Sequence, residues 1–201
     1  EKDEIEEKED KKDDKPKMYL SILYKNESTR QLVLAFRGIK LSVRDWFLKD
    51  TQLEAVVYGT LANEVTSHSY YAYQHCKLAY EMSKEIGYNL SFTGYSFGAW
   101  LAEQSVYFCY KNYETRNVRA VTFDSPGSYD IIKELAKTHI HNCKKDDVDK
   151  FLDIKTFLFS PNFLNTSNEH VGKVYRVFEK SLIKGDVDTV VWAHGSMFEL
   201  Y

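Results

Sequence analysis

The chain has 201 residues, of which 43% are hydrophobic and 15% aromatic, enough for one domain whose apolar core needs no metal or disulfide staples. The net charge of −3 excludes general nucleic-acid binding, because neutralising phosphates needs a basic excess. No apolar run approaches the ~20 residues that a bilayer-spanning helix needs, so no transmembrane segment is predicted.

Residues 1–17 form a charged segment ahead of the globular part. Every residue in it except Ile5 and Pro16 is charged, with nine acidic side chains and six lysines, so it carries the whole net charge. Such a segment has no apolar face to bury and is predicted to be a disordered tail. A single domain is expected over residues 18–201. The chain starts with no signal-peptide pattern, and its three scattered cysteines form no disulfide framework, so we expect a soluble protein and lean towards the cytoplasm.

Apolar runs and helical periodicity alternate along the domain. MYLSILY and QLVLAF flank a short polar turn, which predicts a hairpin. The long helix that follows has apolar residues, Met82 among them, at spacings of three and four, and Gly87 is well placed to end it. The polar run KKDDVDK is predicted to be a loop. Strands are predicted at 18–24, 31–36, 89–93, 118–123, 154–159 and 173–178, and helices at 63–86, 98–112 and 129–138.

This alternation is typical of an α/β protein and predicts a mostly parallel sheet with helices on both faces. In such sheets the sites form outside the carboxyl ends of the strands. Ser96 stands at one of these ends, between Gly94 and Gly98, where a strand turns into a helix. That pattern is typical of a nucleophile elbow, a strained turn that exposes the serine hydroxyl at the amino end of a helix.

A serine hydroxyl becomes a nucleophile only when a base accepts its proton. His194, which follows an apolar run near the end of the chain, is preferred as that base, and His170 is the competitor. His68 and His75 precede the serine on the long helix and are interpreted as packing or surface residues.

Two backbone N–H groups are expected to stabilise an oxyanion beside the serine. One is that of Phe97, at the amino end of the helix. The other is that of Ile39, because Gly38 lets the backbone turn after strand 31–36 so that this N–H faces Ser96.

Several segments together resemble the class 3 (fungal-type) lipases of the α/β-hydrolase superfamily. They are LVLAFRG at 32–38, DWFLKD at 45–50, FTGYSFGAWLAE at 92–103 and VTFDSPG at 121–127, completed by His194. The resemblance implies an α/β-hydrolase-like serine esterase or lipase that hydrolyses acyl esters of lipids, with Ser96 as nucleophile and His194 as base. It implies no cofactor and no metal. It also implies a lipid or small acyl-ester substrate, a lid over residues 40–50 and transient contact with a lipid surface.

Two positions depart from the family pattern. Ile39 stands where the family often has a serine or threonine whose hydroxyl assists the oxyanion. The triad aspartate is missing from its usual place after a late strand, where Asn162 is nearest in register. An asparagine can orient imidazole through its carbonyl oxygen, but it stabilises imidazolium less. The sequence leaves open as alternatives Asn165, Asp124, Asp153, Asp186 and Asp188.

A rival interpretation is a catalytically weak or inactive hydrolase-fold module that binds a lipid or a protein. The missing aspartate and the charged tail motivate it. The retained serine between two glycines disfavours it, because a binding module does not need a strained turn. A thioesterase or peptidase would use the same site chemistry.

Overall fold

A computed structural model describes residues 19–39, 59–60, 66–137, 145–159 and 161–177. The charged tail, segment 40–50 and His194 lie outside the described residues. The strands are β1 (Ser21–Asn26), β2 (Gln31–Phe36), β3 (Asn89–Tyr95), β4 (Arg119–Phe123), β5 (Asp153–Leu158) and β6 (Lys173–Arg176). The helices are α1 (Ser67–Ile86), α2 (Phe97–Tyr113), α3 (Tyr129–Lys137) and α4 (Lys145–Phe151).

The six strands lie side by side in chain order. β1 and β2 form the predicted antiparallel hairpin, and every later pair is parallel. The predicted mostly parallel α/β sheet is therefore confirmed. In β2, Leu32, Leu34 and Phe36 are buried on one face with residues of α1 and α2, whereas Val33 and Ala35 on the other face are half-buried.

Helix α1 shows how the sequence sets both its ends. Thr66 caps the start, and Gly87, with φ of 67°, ends the helix as predicted. Met82, one of the apolar residues at this spacing, is nevertheless exposed, and Ser83 is buried instead. Both positions lie one turn beyond the buried Ala79. The Ser83 hydroxyl can occupy the buried position because it donates to the Tyr80 carbonyl at 2.7 Å.

The run KKDDVDK contains helix α4, so the prediction of a loop there was wrong. Val148 is buried and Phe151, three residues later, is half-buried. Two apolar residues one turn apart give the short helix an inner face that the surrounding charges conceal in the sequence. The Asp149 carboxylate accepts the Gly172 N–H at 2.7 Å and so ties α4 to the start of β6.

A buried carboxyl group joins α2 to the sheet. Glu103 is fully buried, and one of its oxygens accepts the hydroxyls of Thr122 on β4 at 2.9 Å and Thr156 on β5 at 3.2 Å. The other oxygen accepts the Ser128 hydroxyl, just before α3, at 2.6 Å. Because a buried polar group without partners is strongly unfavourable, these three hydroxyls are what make this position tolerable for glutamate.

Within the described part of the chain, no helix combines the length and the apolar composition that crossing a membrane requires.

Candidate active site

Ser96 follows β3 directly and occupies the cap position of α2, but it does not act as a cap. A serine that caps a helix has an extended backbone and accepts a bond from an N–H in the first turn. Ser96 instead has φ of 56° and ψ of −124°, and its side chain makes no capping bond. The backbone strain expected of a nucleophile elbow is therefore present, and the Ser96 hydroxyl is not used to cap the helix.

The two glycines around Ser96 are required by close backbone contacts. A Cβ atom on Gly94 would lie 2.2 Å from the carbonyl oxygen of Gly98. A Cβ atom on Gly98 would lie 2.2 Å from the carbonyl oxygen of Phe36, at the end of β2. The strand, the turn and the start of α2 thus approach too closely for any side chain at either position, as a nucleophile elbow requires.

The segment after β2 lies against the same turn. A Cβ atom on Gly38 would be 2.7 Å from the Tyr95 carbonyl oxygen and 3.5 Å from the Cβ atom of Ser96. Ile39, half-buried, follows at once, and Phe97 begins α2, whose first N–H groups have no acceptor within the helix. Phe97 thus follows Ser96 directly, and Gly38, the neighbour of Ile39, packs against the same turn. The donor roles of Phe97 and Ile39 stay predictions.

The degree of exposure of Ser96 differs from the prediction. The sequence predicted an exposed hydroxyl, whereas the residue is only 7% exposed. The close packing of Gly38 and of the two elbow glycines accounts for part of this burial.

The next strand ends in the same way as β3. Asp124 directly follows β4, and its φ of 50° again lies in the left-handed region. The N–H of Ser96 donates to the Phe123 carbonyl at 2.9 Å, and the N–H of Asp124 donates to the Phe157 carbonyl at 2.8 Å. Each residue thus stays hydrogen-bonded to the neighbouring strand while its positive φ redirects the chain. Ser96 and Asp124 therefore lie at the same edge of the sheet, one strand apart.

Two asparagines hold the carboxylate of Asp124, which is fully buried. Oδ1 accepts the side-chain amide of Asn165 at 2.6 Å and the backbone N–H of Phe159 at 3.0 Å. Oδ2 accepts the side-chain amide of Asn162 at 3.2 Å. The side-chain carbonyl of Asn162 accepts the backbone N–H groups of Leu164 at 3.0 Å and Asn165 at 2.9 Å. Asn162 thus lies near the predicted place, but its carbonyl oxygen, through which it was expected to orient imidazole, is occupied by its own turn.

The other candidate residues are placed as follows. Asp153 begins β5 and so lies at the opposite edge of the sheet from Ser96, about 16 Å along a six-residue strand. It cannot serve the site. His170 is fixed to the Asn162–Asn165 turn by a 3.0 Å bond between Nε2 and the Asn165 carbonyl, and over the described ranges it makes no hydrogen bond to Ser96. Asp186 and Asp188 lie, like His194, outside the described residues.

His68 is a packing residue, as predicted. Its ring meets the Phe97 ring edge-on at 5.2 Å, and among the residues that the structure describes neither ring nitrogen has a hydrogen-bond partner. Burial lowers the pKa of His68 to about 4, so the ring is neutral at pH 7. His75 is half-buried, and its Nδ1 lies 2.6 Å from the Ser21 hydroxyl on β1.

No family model matches the chain. A curated relative, the uncharacterised protein RP165 of Rickettsia prowazekii (strain Madrid E), is 26% identical over 173 residues, covering 81% of this chain and 43% of that protein. The chain thus spans less than half the length of that relative.

Solved structures of similar fold include a fungal lipase. A deletion mutant of Rhizomucor miehei lipase in its propeptide complex matches with a TM-score of 0.54 and 13% identity, over 86% of this chain and 59% of that one. A mutant form of MDLA from Penicillium cyclopium matches with a TM-score of 0.51 and 14% identity, over 86% and 64%. The chain has an α/β-hydrolase-like fold. At these identities the likeness establishes the fold, and activity must be argued from the site.

Proposed function

We propose that this α/β-hydrolase-like chain is a serine esterase of the class 3 lipase type that hydrolyses acyl esters through an acyl-enzyme on Ser96. The backbone of Ser96 carries the proposal. This residue is strained, stands at the amino end of a helix and does not cap that helix. Its two neighbouring glycines sit where no Cβ atom fits. A strand-to-helix turn without chemistry needs none of these features.

The reaction would follow the usual serine-histidine sequence. His194 takes the proton of the Ser96 hydroxyl as its oxygen attacks the ester carbonyl carbon, and the N–H groups of Phe97 and Ile39 bind the resulting oxyanion. Collapse releases the alcohol, which takes the proton from His194. Water, activated by the same histidine, then releases the acid and restores Ser96.

Lipid acyl esters are the substrate class that we favour. The fold neighbours that carry this preference include a Rhizomucor miehei lipase. The site residues themselves would serve any accessible acyl ester. Transient contact with a lipid surface through segment 40–50 forms part of the same proposal, and that segment lies outside the described residues.

The test is covalent labelling followed by mass spectrometry. A fluorophosphonate should modify Ser96, and Ser96→Ala should abolish both labelling and the hydrolysis of a short-chain ester. Ser91→Ala is the matched control, because Ser91 is a buried serine of the same strand that donates to the Leu32 carbonyl. It should retain both. Labelling that persists in the Ser96→Ala protein would show that the nucleophile is another residue.

The rival function is a hydrolase-fold module that binds lipid without turnover. The low exposure of Ser96 favours it. In that case the chain binds phospholipid vesicles, shows no ester turnover with or without them, and binds equally well after His194→Ala.

A further inference from the structure

We infer that Asp124, and not Asn162, orients the histidine base, and that Asn162 and Asn165 are positioning residues that hold the Asp124 carboxylate. This inference rests on the proposed function, since it assigns a partner to the proposed base. The negative charge of the site would then lie at the end of β4, next to the strand that leads to the nucleophile. The family resemblance implies a position one strand further away, after β5.

The first support is placement. Asp124 ends β4, the strand beside the one that carries Ser96, and the Ser96 N–H bonds to the residue just before it. Neighbouring strands lie about 4.8 Å apart. An imidazole that hydrogen-bonds through both nitrogens joins two oxygens about 7 Å apart. Side chains leaving adjacent strand ends at one edge of the sheet are suited to that separation.

The second support is the direction of the hydrogen bonds. Both asparagines turn their amide N–H groups, rather than their carbonyl oxygens, towards Asp124. The Phe159 N–H is a further neutral donor to the same carboxylate. Donors of this kind favour the ionised form and fix its orientation without neutralising its charge. A fixed negative charge is what an imidazole needs beside it to become imidazolium.

The third support is the geometry of the Asn162 turn. Its carbonyl oxygen accepts two backbone N–H groups, so orienting a histidine through that atom would mean breaking the turn. The same turn places the Asn165 amide 2.6 Å from Asp124. Asn162 and Asn165 therefore work together as a support for a carboxylate on the neighbouring strand.

The charge of Asp124 also acts on a neighbouring phenol. Burial, followed by the negative charge of Asp124, raises the pKa of the Tyr95 hydroxyl above its usual value. Tyr95 is the residue immediately before Ser96, so the field of this carboxylate reaches the nucleophile turn.

The experiment compares Asp124→Asn with Asp149→Asn. Asp149 is a matched control because its carboxylate also accepts a backbone N–H, but at the start of β6, outside the site. Hydrolysis of a short-chain ester is followed against pH. Asp124→Asn should lower kcat by up to about 10⁴-fold with little change in KM. It should also move the acidic limb of kcat/KM to lower pH by about one unit, because imidazole loses the carboxylate that stabilises its proton.

Asp149→Asn should leave both quantities unchanged. Asn165→Ala should lower kcat, but by less than Asp124→Asn does. Asn165→Asp should not recover the kcat of the unaltered protein, because a second carboxylate would repel Asp124. A purely structural role for Asp124 would lower stability and leave the acidic limb in place, and that result would overturn the inference.

A measurement on the unaltered protein covers the case in which Asp124→Asn fails to fold. Proton NMR should show a strongly deshielded imidazole N–H that disappears in His194→Gln and has a cross-peak to the Asn165 side-chain amide. Absence of that cross-peak in a protein that a fluorophosphonate labels at Ser96 rejects the role of Asp124 and keeps the proposed function. Presence of the cross-peak without labelling or turnover rejects the proposed function and keeps the pairing.

Discussion

Gly98→Ala is the sharpest structural test of the nucleophile turn. The new Cβ atom would lie 2.2 Å from the Phe36 carbonyl oxygen and 2.8 Å from the carbonyl carbons of Phe36 and Arg37, whereas real Cβ atoms essentially never come closer than 3.0 Å. Restoring that distance means moving the start of α2 about 0.8 Å away from β2. All the atoms in conflict are backbone, so no rotamer change relieves them. Overpacking of this kind costs about 1–3 kcal/mol and occasionally more, and we expect a loss of at least about 3 kcal/mol.

Gly87→Ala supplies the matched control. Gly87 differs from Gly98 in having a positive φ, 67°, and the nearest atom to its new Cβ is a terminal nitrogen of Arg30 at 3.6 Å. That variant meets backbone strain alone, about 1–2 kcal/mol. Unfolding in urea, followed by tryptophan fluorescence, gives both free energies, and fluorophosphonate labelling reports the state of Ser96. Gly98→Ala should lose stability and label slowly, whereas Gly87→Ala should lose less stability and label normally.

The reasoning fails if Gly98→Ala unfolds within about 1 kcal/mol of the unaltered protein and labels at the same rate. The approach of β2 to α2 would then be looser than the contacts indicate. The glycine would in that case be a feature of an ordinary turn.

Two further predictions concern buried polar groups. His68 has its pKa lowered to about 4, so between pH 6.5 and 4 the unfolded chain binds a proton that the folded chain does not. Stability should therefore fall as the pH falls through this range, by at most about 3 kcal/mol. His68→Phe should reduce this loss in urea titrations at pH 7 and about pH 4.5, and an unchanged pH dependence would contradict the assignment. Glu103→Ala removes the acceptor of three buried hydroxyls and should cost at least about 3 kcal/mol in a urea titration. Glu103→Gln should cost clearly less, because its carbonyl can serve Thr122 and its amide can donate to Ser128, and equal losses would show that hydrogen bonding is not the cause.

Features that depend on adjacent residues could be predicted from the sequence. The hairpin, the end of α1 at Gly87 and the strained turn at Ser96 each follow from a few consecutive residues. Helix α4 was missed because its apolar face has only two residues. The bond between Asp124 and Asn165 joins residues 41 apart, and the bond between Glu103 and Thr156 joins residues 53 apart. Such pairs depend on strand order and register, which no short segment specifies.

The sequence contains one local signal for the proposed role of Asp124. The run TFDSPG puts an acidic residue immediately after the strand that follows the nucleophile turn, and Asn162 and Asn165 are spaced as in a side-chain-to-backbone turn. Family register directed attention to the later strand instead. Alignment with the family indicates only where other members carry their acidic residue. A carboxylate beside the imidazole could be supplied from the end of β4 as well as from the end of β5.

The backbone conformation at the ends of β3 and β4 helps to distinguish residues that serve the proposed reaction from residues that serve the fold. Ser96 has φ of 56° and Asp124 has φ of 50°, and residues other than glycine in such sparsely populated backbone conformations are strained by about 1–3 kcal/mol. Their N–H groups bond to the next strand, and glycine would donate those bonds equally well. The backbone alone therefore favours glycine at both positions, although the Asp124 carboxylate also accepts the Phe159 N–H and the side-chain amides of Asn162 and Asn165. The strained Ser96, whose side chain does not cap α2, is therefore the feature that the sheet does not need and that the proposed serine-histidine chemistry does.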